Sequence, residues 1–417
     1  MVYLHVPFCR SFCTYCDFYS EIACRDRDAQ LFGSFTDAVC AEISRRRDEI
    51  EATRDLNTLY IGGGTPSVLP LICLRQIVLS LTGGVPPEPP ASLRSEASRR
   101  CSGWQRVVPE GQKNQSSLRC GNALQGQPAA RLHPAFSEFT IEVNPEDIVE
   151  NGEAYVRGLL ELGVNRVSMG VQSLDDGILR WMNRRHDAAR ARQAFRILRE
   201  AGVGNLSVDL IFGLPQLSEA VLSQTISELA AWRPEHISAY QLSVEEGSAL
   251  GRMAREGRFT EAPQEQCAAQ YALLCRMLRE AGYGHYEISN WALPGCEAVH
   301  NSAYWSRHPY VGLGPSAHSF DGHTRSWNGF LPPRNGKLPL ETSGCAGGSE
   351  ELSVAEQQEE EIMLGLRSAK GIPEGLLDEA QRAAALSDGR LVRLPDGRLR
   401  IPEDKWFVSD DIIADLI

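Results

Sequence analysis

The spacing of hydrophobic and polar positions along the chain divides it into alternating strands and helices. Short apolar-rich runs that predict β-strands occur at residues 2–6, 58–61, 139–143, 166–171, 206–212 and 236–242. Between them, apolar residues recur at helical spacing at residues 28–51, 68–81, 153–162, 188–200 and 219–231. Such β-α alternation predicts a parallel sheet with right-handed crossovers. Six strands indicate an α/β fold whose core is a partial (β/α)6 barrel rather than a closed eight-stranded one.

One long stretch departs from this alternation. Residues 83–134 are rich in Pro, Gly, Ser, Arg and Gln, a composition that buries too little apolar surface to offset the entropy of ordering. Because a compact domain rarely carries a structureless connection of about 50 residues, we predict a disordered insertion here. Cys101 and Cys120 lie within it without close partner cysteines, so we do not assign them to a metal site.

The alternation ends toward the C-terminus. A linker rich in Gly and Ser precedes an acidic helical run at residues 354–367, and two short apolar segments follow within residues 391–401. The dipeptide Asp396-Gly397 between those segments is typical of a β-hairpin turn. The predicted domains are a barrel over residues 1–335 and a smaller helical, winged-helix-like domain over residues 351–417.

The composition and net charge of the chain argue against some classes of function. The 417 residues carry a formal net charge of −12, which argues against non-specific nucleic-acid binding because that requires a basic face. No run approaches the roughly 18 apolar residues of a membrane-spanning helix, so only peripheral contact with a membrane is compatible with the sequence. Cysteines outside one cluster are scattered and predicted to be buried hydrophobic residues: Cys40, Cys73, Cys267 and Cys275. We therefore expect a protein of a reducing compartment, the cytoplasm.

The one cysteine cluster directly follows the first predicted strand. Cys9, Cys13 and Cys16 have the spacing C-x3-C-x2-C. Thiolates held this close together on a loop can ligate an iron–sulfur cluster. A 4Fe–4S cluster has four irons, so three thiolates leave one iron open to another ligand.

Zinc and disulfide bonds explain the triplet less well. Structural zinc takes four nitrogen or sulfur ligands, usually from two separated pairs, and His5 is the sole other nearby candidate. Disulfides form in oxidising compartments, and no signal peptide precedes the triplet. We therefore predict that the three cysteines are iron ligands.

The triplet resembles the motif of radical S-adenosylmethionine (SAM) enzymes, in which an aromatic residue precedes the last cysteine, as Tyr15 does here. The resemblance implies a 4Fe–4S cluster whose open iron is chelated by the amino and carboxylate groups of SAM. It also implies an electron donor, because an electron from the reduced cluster cleaves the sulfonium to methionine and a 5′-deoxyadenosyl radical. Proteins of this superfamily have the open (β/α)6 core that the sequence pattern predicts.

A glycine run after the second predicted strand strengthens the resemblance. A lone glycine run is weak evidence, because any tight strand-to-helix turn could use one. Here Gly62, Gly63, Gly64, Thr65 and Pro66 match the GGGTP segment of the family, whose backbone hydrogen-bonds the methionyl amino group of SAM. The match implies that Gly63, Gly64 and Thr65 contact the cofactor.

Polar residues near other predicted strand ends match further SAM contacts, at the edge where parallel α/β folds bind ligands. Asp209 lies within an otherwise apolar run, where a carboxylate without a partner is costly. A buried aspartate that caps a neighbouring loop is the alternative interpretation. The positions that correspond to contacts with SAM in the family are Tyr3, Tyr15, Glu142, Gln172, Arg184, Asp209 and Ser243.

Within the superfamily, the chain is most similar to the anaerobic coproporphyrinogen III oxidase family, which includes the HemW-like heme chaperones. The oxidases carry a further cysteine two places after the triplet, where this chain has Phe18. They also have an N-terminal extension, whereas eight residues precede Cys9 here. Both differences favour the chaperone branch.

A second motif points to the same branch. The HNxxYW motif, which is tied to heme binding in HemW-like proteins, is matched by His300, Asn301, Tyr304 and Trp305. Imidazole is a common axial ligand of heme iron, and aromatic rings offer flat apolar faces to the macrocycle. A His–aromatic cluster that packs the barrel mouth is the alternative, and Cys296 and His318 are nearby alternative iron ligands.

The resemblance implies a heme chaperone that binds heme, a 4Fe–4S cluster and SAM and transfers heme to acceptor hemoproteins. The alternative is an oxygen-independent coproporphyrinogen III oxidase, which would decarboxylate porphyrinogen propionates with the deoxyadenosyl radical. No catalytic residue is assigned.

Overall fold

The computed structural model describes residues 1–23, 28–84, 136–330 and 347–417. The predicted insertion at residues 83–134 lies outside the described residues from residue 85 onward.

The first part of the chain alternates strands and helices. Its elements in chain order are β1 (Val2–Val6), β2 (Phe8–Cys9), β3 (Glu21–Ile22), α1 (Ala29–Arg45), α2 (Arg47–Ala52), β4 (Thr58–Gly63), α3 (Leu71–Thr82), β5 (Glu138–Val143), α4 (Pro145–Glu161), β6 (Arg166–Gln172), α5 (Asp176–Trp181), α6 (Ala188–Glu200), β7 (Leu206–Phe212), α7 (Glu219–Ala231) and β8 (His236–Gln241).

The second part has shorter elements. They are α8 (Ala249–Arg255), α9 (Gln264–Glu280), β9 (Gly284–Glu287), β10 (Asn290–Ala292), α10 (Val299–Trp305), β11 (Val311–Leu313), β12 (His318–Phe320), β13 (Thr324–Trp327), β14 (Gly348–Glu351), α11 (Val354–Leu366), α12 (Glu379–Ser387), β15 (Val392–Arg393), β16 (Leu399–Arg400) and α13 (Ser409–Ala414).

The main sheet has nine strands in the order β11-β1-β4-β5-β6-β7-β8-β10-β9. The six barrel strands from β1 to β8 are mutually parallel, which confirms the predicted partial barrel. Their ends agree with the predicted ones to within two residues. The helix predicted at residues 28–51 is divided at Arg46 into α1 and α2. The helix predicted at residues 153–162 begins earlier, as α4, and is interrupted by a non-helical Gly152 with φ 69°.

Side chains on the barrel strands alternate between two environments, as the two-residue period of a strand requires. On β4, Leu59 and Ile61 are buried in the apolar core, whereas Tyr60 lines the barrel cavity. On β7, Val208 and Leu210 belong to the core and Asp209 lines the cavity. The carboxylate inside an apolar run is therefore an interior-facing position of an alternating strand.

The shorter elements extend and cover the barrel. Antiparallel β12, β13 and β14 form a separate three-stranded sheet. β15 and β16 form the predicted hairpin, with Gly397 at φ 86° in the turn. The C-terminal segment packs on the antiparallel edge of the main sheet, where the ring centroids of Trp406 and His285 of β9 lie 4.3 Å apart. Within the described residues, no helix is both long and apolar enough to cross a membrane.

Candidate functional site

The carboxyl ends of the barrel strands surround a cavity of about 670 Å³. The cysteine triplet lines it, namely Cys9, Cys13 and Cys16. Most of the other predicted site residues also line it: Tyr15, Gly63, Gly64, Thr65, Glu142, Gln172, Arg184, Asp209, Ser243 and Asn301. The predicted site residues outside the cavity lining are Tyr3, His300, Tyr304 and Trp305.

The cluster loop, residues 9–16, is fixed by contacts with the segments before α6 and in α8. Leu250 N donates to the carbonyl of Thr14 at 2.8 Å, and Thr14 N donates to the carbonyl of Met182 at 3.1 Å. Asn183 Nδ2 donates to the carbonyl of Phe12 at 2.6 Å. Because these bonds use backbone groups of the loop, they hold its course independently of the cysteine side chains.

Two of the three cysteine sulfurs belong to one polar network. Thr65 Oγ1 lies 3.4 Å from Cys9 Sγ and accepts a hydrogen bond from Asn144 Nδ2 at 3.0 Å, so the hydroxyl proton is free to point at the sulfur. Arg184 donates to Cys13 Sγ at 3.5 Å and to Asn144 Oδ1 at 2.6 Å. Donors to cysteine sulfur stabilise the negative charge of a thiolate-bound cluster.

The donor set fits an iron–sulfur cluster. Cys9, Cys13 and Cys16 come from one loop and line the same cavity, as a cluster requires when each thiolate binds a different iron. The third sulfur, of Cys16, also has a donor, the backbone N–H of Phe18. Burial raises the pKa of the Cys16 thiol to about 11, so iron binding must displace its proton.

The backbone N–H groups of Gly63, Gly64 and Thr65 all donate hydrogen bonds to other groups of the protein. Gly63 N donates to the Glu142 carboxylate at 3.2 Å. Gly64 N and Thr65 N donate to carbonyls of β1 and β2 at 2.9 and 2.7 Å. A ligand in the cavity can therefore bind these three residues only through their carbonyl or side-chain oxygens, and carbonyls accept hydrogen bonds from an amino group.

Glycine is also required at two of these positions by packing. A Cβ on Gly64 would lie 2.8 Å from the carbonyl oxygen of Phe8, and one on Gly63 would lie 2.6 Å from the His5 ring. Gly63 moreover has φ 108°, a conformation that side-chain-bearing residues rarely adopt. The run thus lets the end of β4 pack directly on the start of the cluster loop.

Tyr3 lies outside the cavity lining and contacts His5. Its hydroxyl lies 3.1 Å from His5 Nδ1, and His5 Nε2 lies 2.8 Å from the carbonyl of Tyr19. Since that carbonyl can only accept, the ring carries its proton on Nε2 and Nδ1 accepts from Tyr3. Tyr3 therefore positions the segment that follows the cluster loop.

Two half-buried carboxyl groups face the cavity. Glu142 accepts from the Tyr60 hydroxyl at 2.7 Å, and Asp209 accepts from Ser168 Oγ at 3.2 Å. Burial raises the pKa of Glu142 to about 7 and that of Asp209 to about 6. Carboxyl groups at a cavity wall are suited to bind hydroxyl groups of a ligand.

Several buried polar atoms of the cavity wall lack a partner within the described part of the chain. They include Gln172 Oε1, Arg184 Nε and Arg166 Nε. Such atoms are costly unless a ligand or water satisfies them. Their positions fit a polar cofactor in the cavity.

Sequence reasoning assigned no role to Asn144 and did not single out Arg166. Asn144 joins Thr65 to Arg184 in the polar network, and Arg166, only 1% exposed, lines the cavity. Arg166 occupies an interior-facing position of β6, so the alternation of its strand is the signal that could have identified it.

The HNxxYW segment forms α10, which packs against the amino-terminal ends of β4 and β5. Glu138 caps the helix by accepting from Val299 N and His300 N at 2.8 and 3.0 Å. His300 is fully buried, with Nδ1 2.8 Å from Thr58 Oγ1 and Nε2 3.1 Å from the Tyr304 hydroxyl. Burial lowers its pKa to about 3. Both ring nitrogens are bonded inside the protein, so iron could reach either of them only after a bond to Thr58 or to Tyr304 breaks.

Comparisons with known proteins agree with this geometry. The model of the radical SAM superfamily matches residues 3–229. The heme chaperone HemW of Synechocystis sp. is 30% identical over 381 residues, which cover 89% of this chain and 78% of that protein. HemW of Mycobacterium tuberculosis is 31% identical over 412 residues, which cover 95% and 92%.

A solved structure shares the whole fold. Coproporphyrinogen III oxidase (HemN) from Escherichia coli, a radical SAM enzyme, aligns with a TM-score of 0.71 over 99% of this chain and 89% of that chain. The two sequences are 18% identical, so the likeness concerns the fold.

Proposed function

Since the chain belongs to the radical SAM superfamily and, within it, to the HemW family, we propose that it is a heme chaperone. It binds heme, a 4Fe–4S cluster and SAM, and it transfers heme to acceptor hemoproteins in the cytoplasm. The observation that carries the proposal is the 30–31% identity with HemW proteins along most of the chain. The polar cavity that the cysteine triplet lines is further support for the binding of the cluster and SAM.

Cys9, Cys13 and Cys16 hold the cluster in this proposal. When bound together, the cluster and SAM supply the chemistry of one-electron sulfonium cleavage. The chain contributes hydrogen bonds to the sulfurs from Thr65 and Arg184, which favour the reduced, more negative cluster.

The remaining cavity residues orient SAM. Carbonyls of the Gly63–Thr65 run accept from its amino group, and the guanidinium of Arg184 attracts its carboxylate. Glu142 and Asp209 bind hydroxyl groups of the ribose. Tyr15, Gln172, Ser243 and Asn301 complete the wall of the cavity.

The oxidase alternative requires a different mouth to this cavity. At the place where the oxidases have a further cysteine, Phe18 offers no metal ligand, and its side chain is 70% exposed at the cavity rim.

A comparison of heme binding with turnover tests the proposal. Protein with a reconstituted cluster should give a Soret band on addition of heme. It should produce no protoporphyrinogen from coproporphyrinogen III in the presence of SAM and reductant. Turnover of coproporphyrinogen III would establish the oxidase instead, and the absence of any heme binding would refute the chaperone.

A further inference from the structure

Arg166 is a buried cation without a contact partner in the described part of the chain. It is the first residue of β6 and is 1% exposed. Its guanidinium forms no hydrogen bond and no ion pair with any described residue, and its Nε is one of the buried polar atoms that lack a partner. Arginine keeps its charge in proteins, and an unpaired buried charge is strongly destabilising. This position therefore calls for a counter-ion.

The carboxyl groups nearest to Arg166 are bonded to other groups. Burial raises the pKa of Asp209, and Arg166 is near enough to oppose that shift. However, Asp209 accepts hydrogen bonds from Ser168 Oγ at 3.2 Å and from Ser238. Glu138 accepts from two backbone N–H groups at the start of α10. Neither carboxyl group forms an ion pair with Arg166.

The neighbouring histidines carry no charge that would change this balance. Burial, and after it the charge of Arg166, lower the pKa of His236, and burial lowers that of His300 to about 3. Both rings are therefore neutral at physiological pH. His236 is also bonded on both sides, with Nδ1 2.8 Å from Ser207 Oγ and Nε2 2.7 Å from the Tyr286 hydroxyl. An anion that reached this depth would meet the single positive charge of Arg166.

Arg166 borders the cavity far from the predicted SAM contacts. Arg166 and Gln172 are the two ends of β6 and lie about 20 Å apart along the strand, and both line the cavity. Asn301 of α10 also lines it, and its side-chain amide forms no hydrogen bond with a described residue. The cavity thus extends from the cluster loop to the base of the barrel. We call the part at Arg166 and Asn301 the deep end.

We propose that the deep end binds the carboxylate group of a small organic acid, which occupies the barrel together with SAM. The planar guanidinium of Arg166 presents its N–H groups in a fork that matches two carboxylate oxygens. The Asn301 amide can donate a further hydrogen bond. The nearby carboxyl group of Asp209 disfavours a dianion such as a phosphate ester, because like charges repel. The inference goes beyond the proposed function, since it adds a ligand that heme transfer does not require.

Titration of the cluster-loaded, SAM-saturated protein with acetate tests the proposal, since SAM in the proposed function already occupies Arg184. Broadening of the NMR signal of [13C]acetate at constant ionic strength should show saturable binding. Arg166→Met should weaken this binding about tenfold or more. Arg180→Met, at an exposed position of α5, is the matched control and should bind acetate as the wild type does.

Thermal unfolding of cluster-free protein provides a second test. Without added carboxylate, Arg166→Met should unfold at the same temperature as the wild type or a higher one, because an apolar side chain replaces an unpaired buried charge. Acetate should then raise the melting temperature of the wild type more than that of the variant. A clear fall in the melting temperature of Arg166→Met would show that protein contacts hold the guanidinium, and would overturn the proposal.

Two further results would also overturn it. Acetate that binds only in the absence of SAM would assign Arg166 to the methionyl carboxylate of SAM. Equal stabilisation by chloride and acetate would remove the selectivity for a carboxylate. A protein that binds no SAM would count against the cofactor assignment of the proposed function instead, and the unfolding experiment would still decide whether the deep end binds a carboxylate.

Discussion

The cavity at the carboxyl ends of the barrel strands and the base of the barrel around His300 differ in how their polar groups are satisfied. In the cavity, each triplet sulfur has a hydrogen-bond donor, but Gln172 Oε1 and Arg184 Nε have no partner within the described residues. At the base, both ring nitrogens of His300 are bonded, to Thr58 and Tyr304. The first arrangement suits a polar cofactor that is retained in the cavity, whereas the second is closed by the protein's own contacts.

His300 shows why this difference matters. It lies in the motif that the family resemblance ties to heme, and its ring is buried and bonded through both nitrogens. A motif therefore does not reveal which contacts its residues make, because these depend on partners that are distant in sequence.

The largest expected effect concerns the retained cofactor. Replacing Cys9, Cys13 or Cys16 by alanine should abolish the 4Fe–4S cluster, because no other described cysteine lines the cavity. Iron and sulfide analysis after anaerobic reconstitution measures this. Cys120→Ala should retain full iron content, and loss of the cluster in that variant would show that the ligand set extends beyond the triplet.

Glu142 should make the free energy of unfolding depend on pH. Burial raises its pKa from 4.5 to about 7, so its contribution is fully present below the unfolded pKa and is lost as pH rises through about 7. In cluster-free protein, Glu142→Gln should therefore gain stability relative to wild type on going from about pH 5 to about pH 8, by up to about 3 kcal/mol. Urea unfolding at both pH values measures the change.

The substitution replaces one of the two carboxylate oxygens that accept from the Tyr60 hydroxyl and Gly63 N, which adds an offset to this comparison that does not vary with pH. Glu161→Gln, at an exposed position of α4, serves as the control and should show no such trend. A difference between Glu142→Gln and wild type that stays constant with pH would contradict a raised pKa of the Glu142 carboxyl group in the folded protein.

The contact between the glycine run and the cluster loop should tolerate no side chain. Gly64→Ala places a Cβ against the backbone of Phe8, and overpacking of this kind costs about 1–3 kcal/mol. Gly204→Ala is the matched control, since its Cβ would meet nothing within 4 Å. Equal free energies of unfolding for the two variants would show that the loop moves away freely.

A smaller effect is expected at the sulfur of Cys9. Thr65→Val keeps the shape of the side chain but removes the hydroxyl beside Cys9, so the cluster should form with a lower reduction potential. Thr65→Ser retains the hydroxyl and should stay close to wild type. Potentiometric titration without SAM measures the shift, and equal potentials for the two variants would refute the hydrogen bond to sulfur.

Much of the barrel could be predicted because its signals are local. The strand ends follow from apolar runs, and the triplet and the glycine run are short motifs beside β1 and β4. The base of the barrel could not be predicted, because His300 Nδ1 meets Thr58 across 242 residues. The small sheet was also missed, since β12 and β13 have only three and four residues, too few to show a period.

Reconstitution of the wild type beside the triple variant Cys9→Ala/Cys13→Ala/Cys16→Ala tests the assignment of the cavity most directly. The wild type should bind about one 4Fe–4S cluster, and addition of SAM should change the spectrum of the reduced cluster, because SAM would bind the open iron. The triple variant should bind no cluster. A cluster in the triple variant, or a wild-type spectrum that SAM leaves unchanged, would contradict this account.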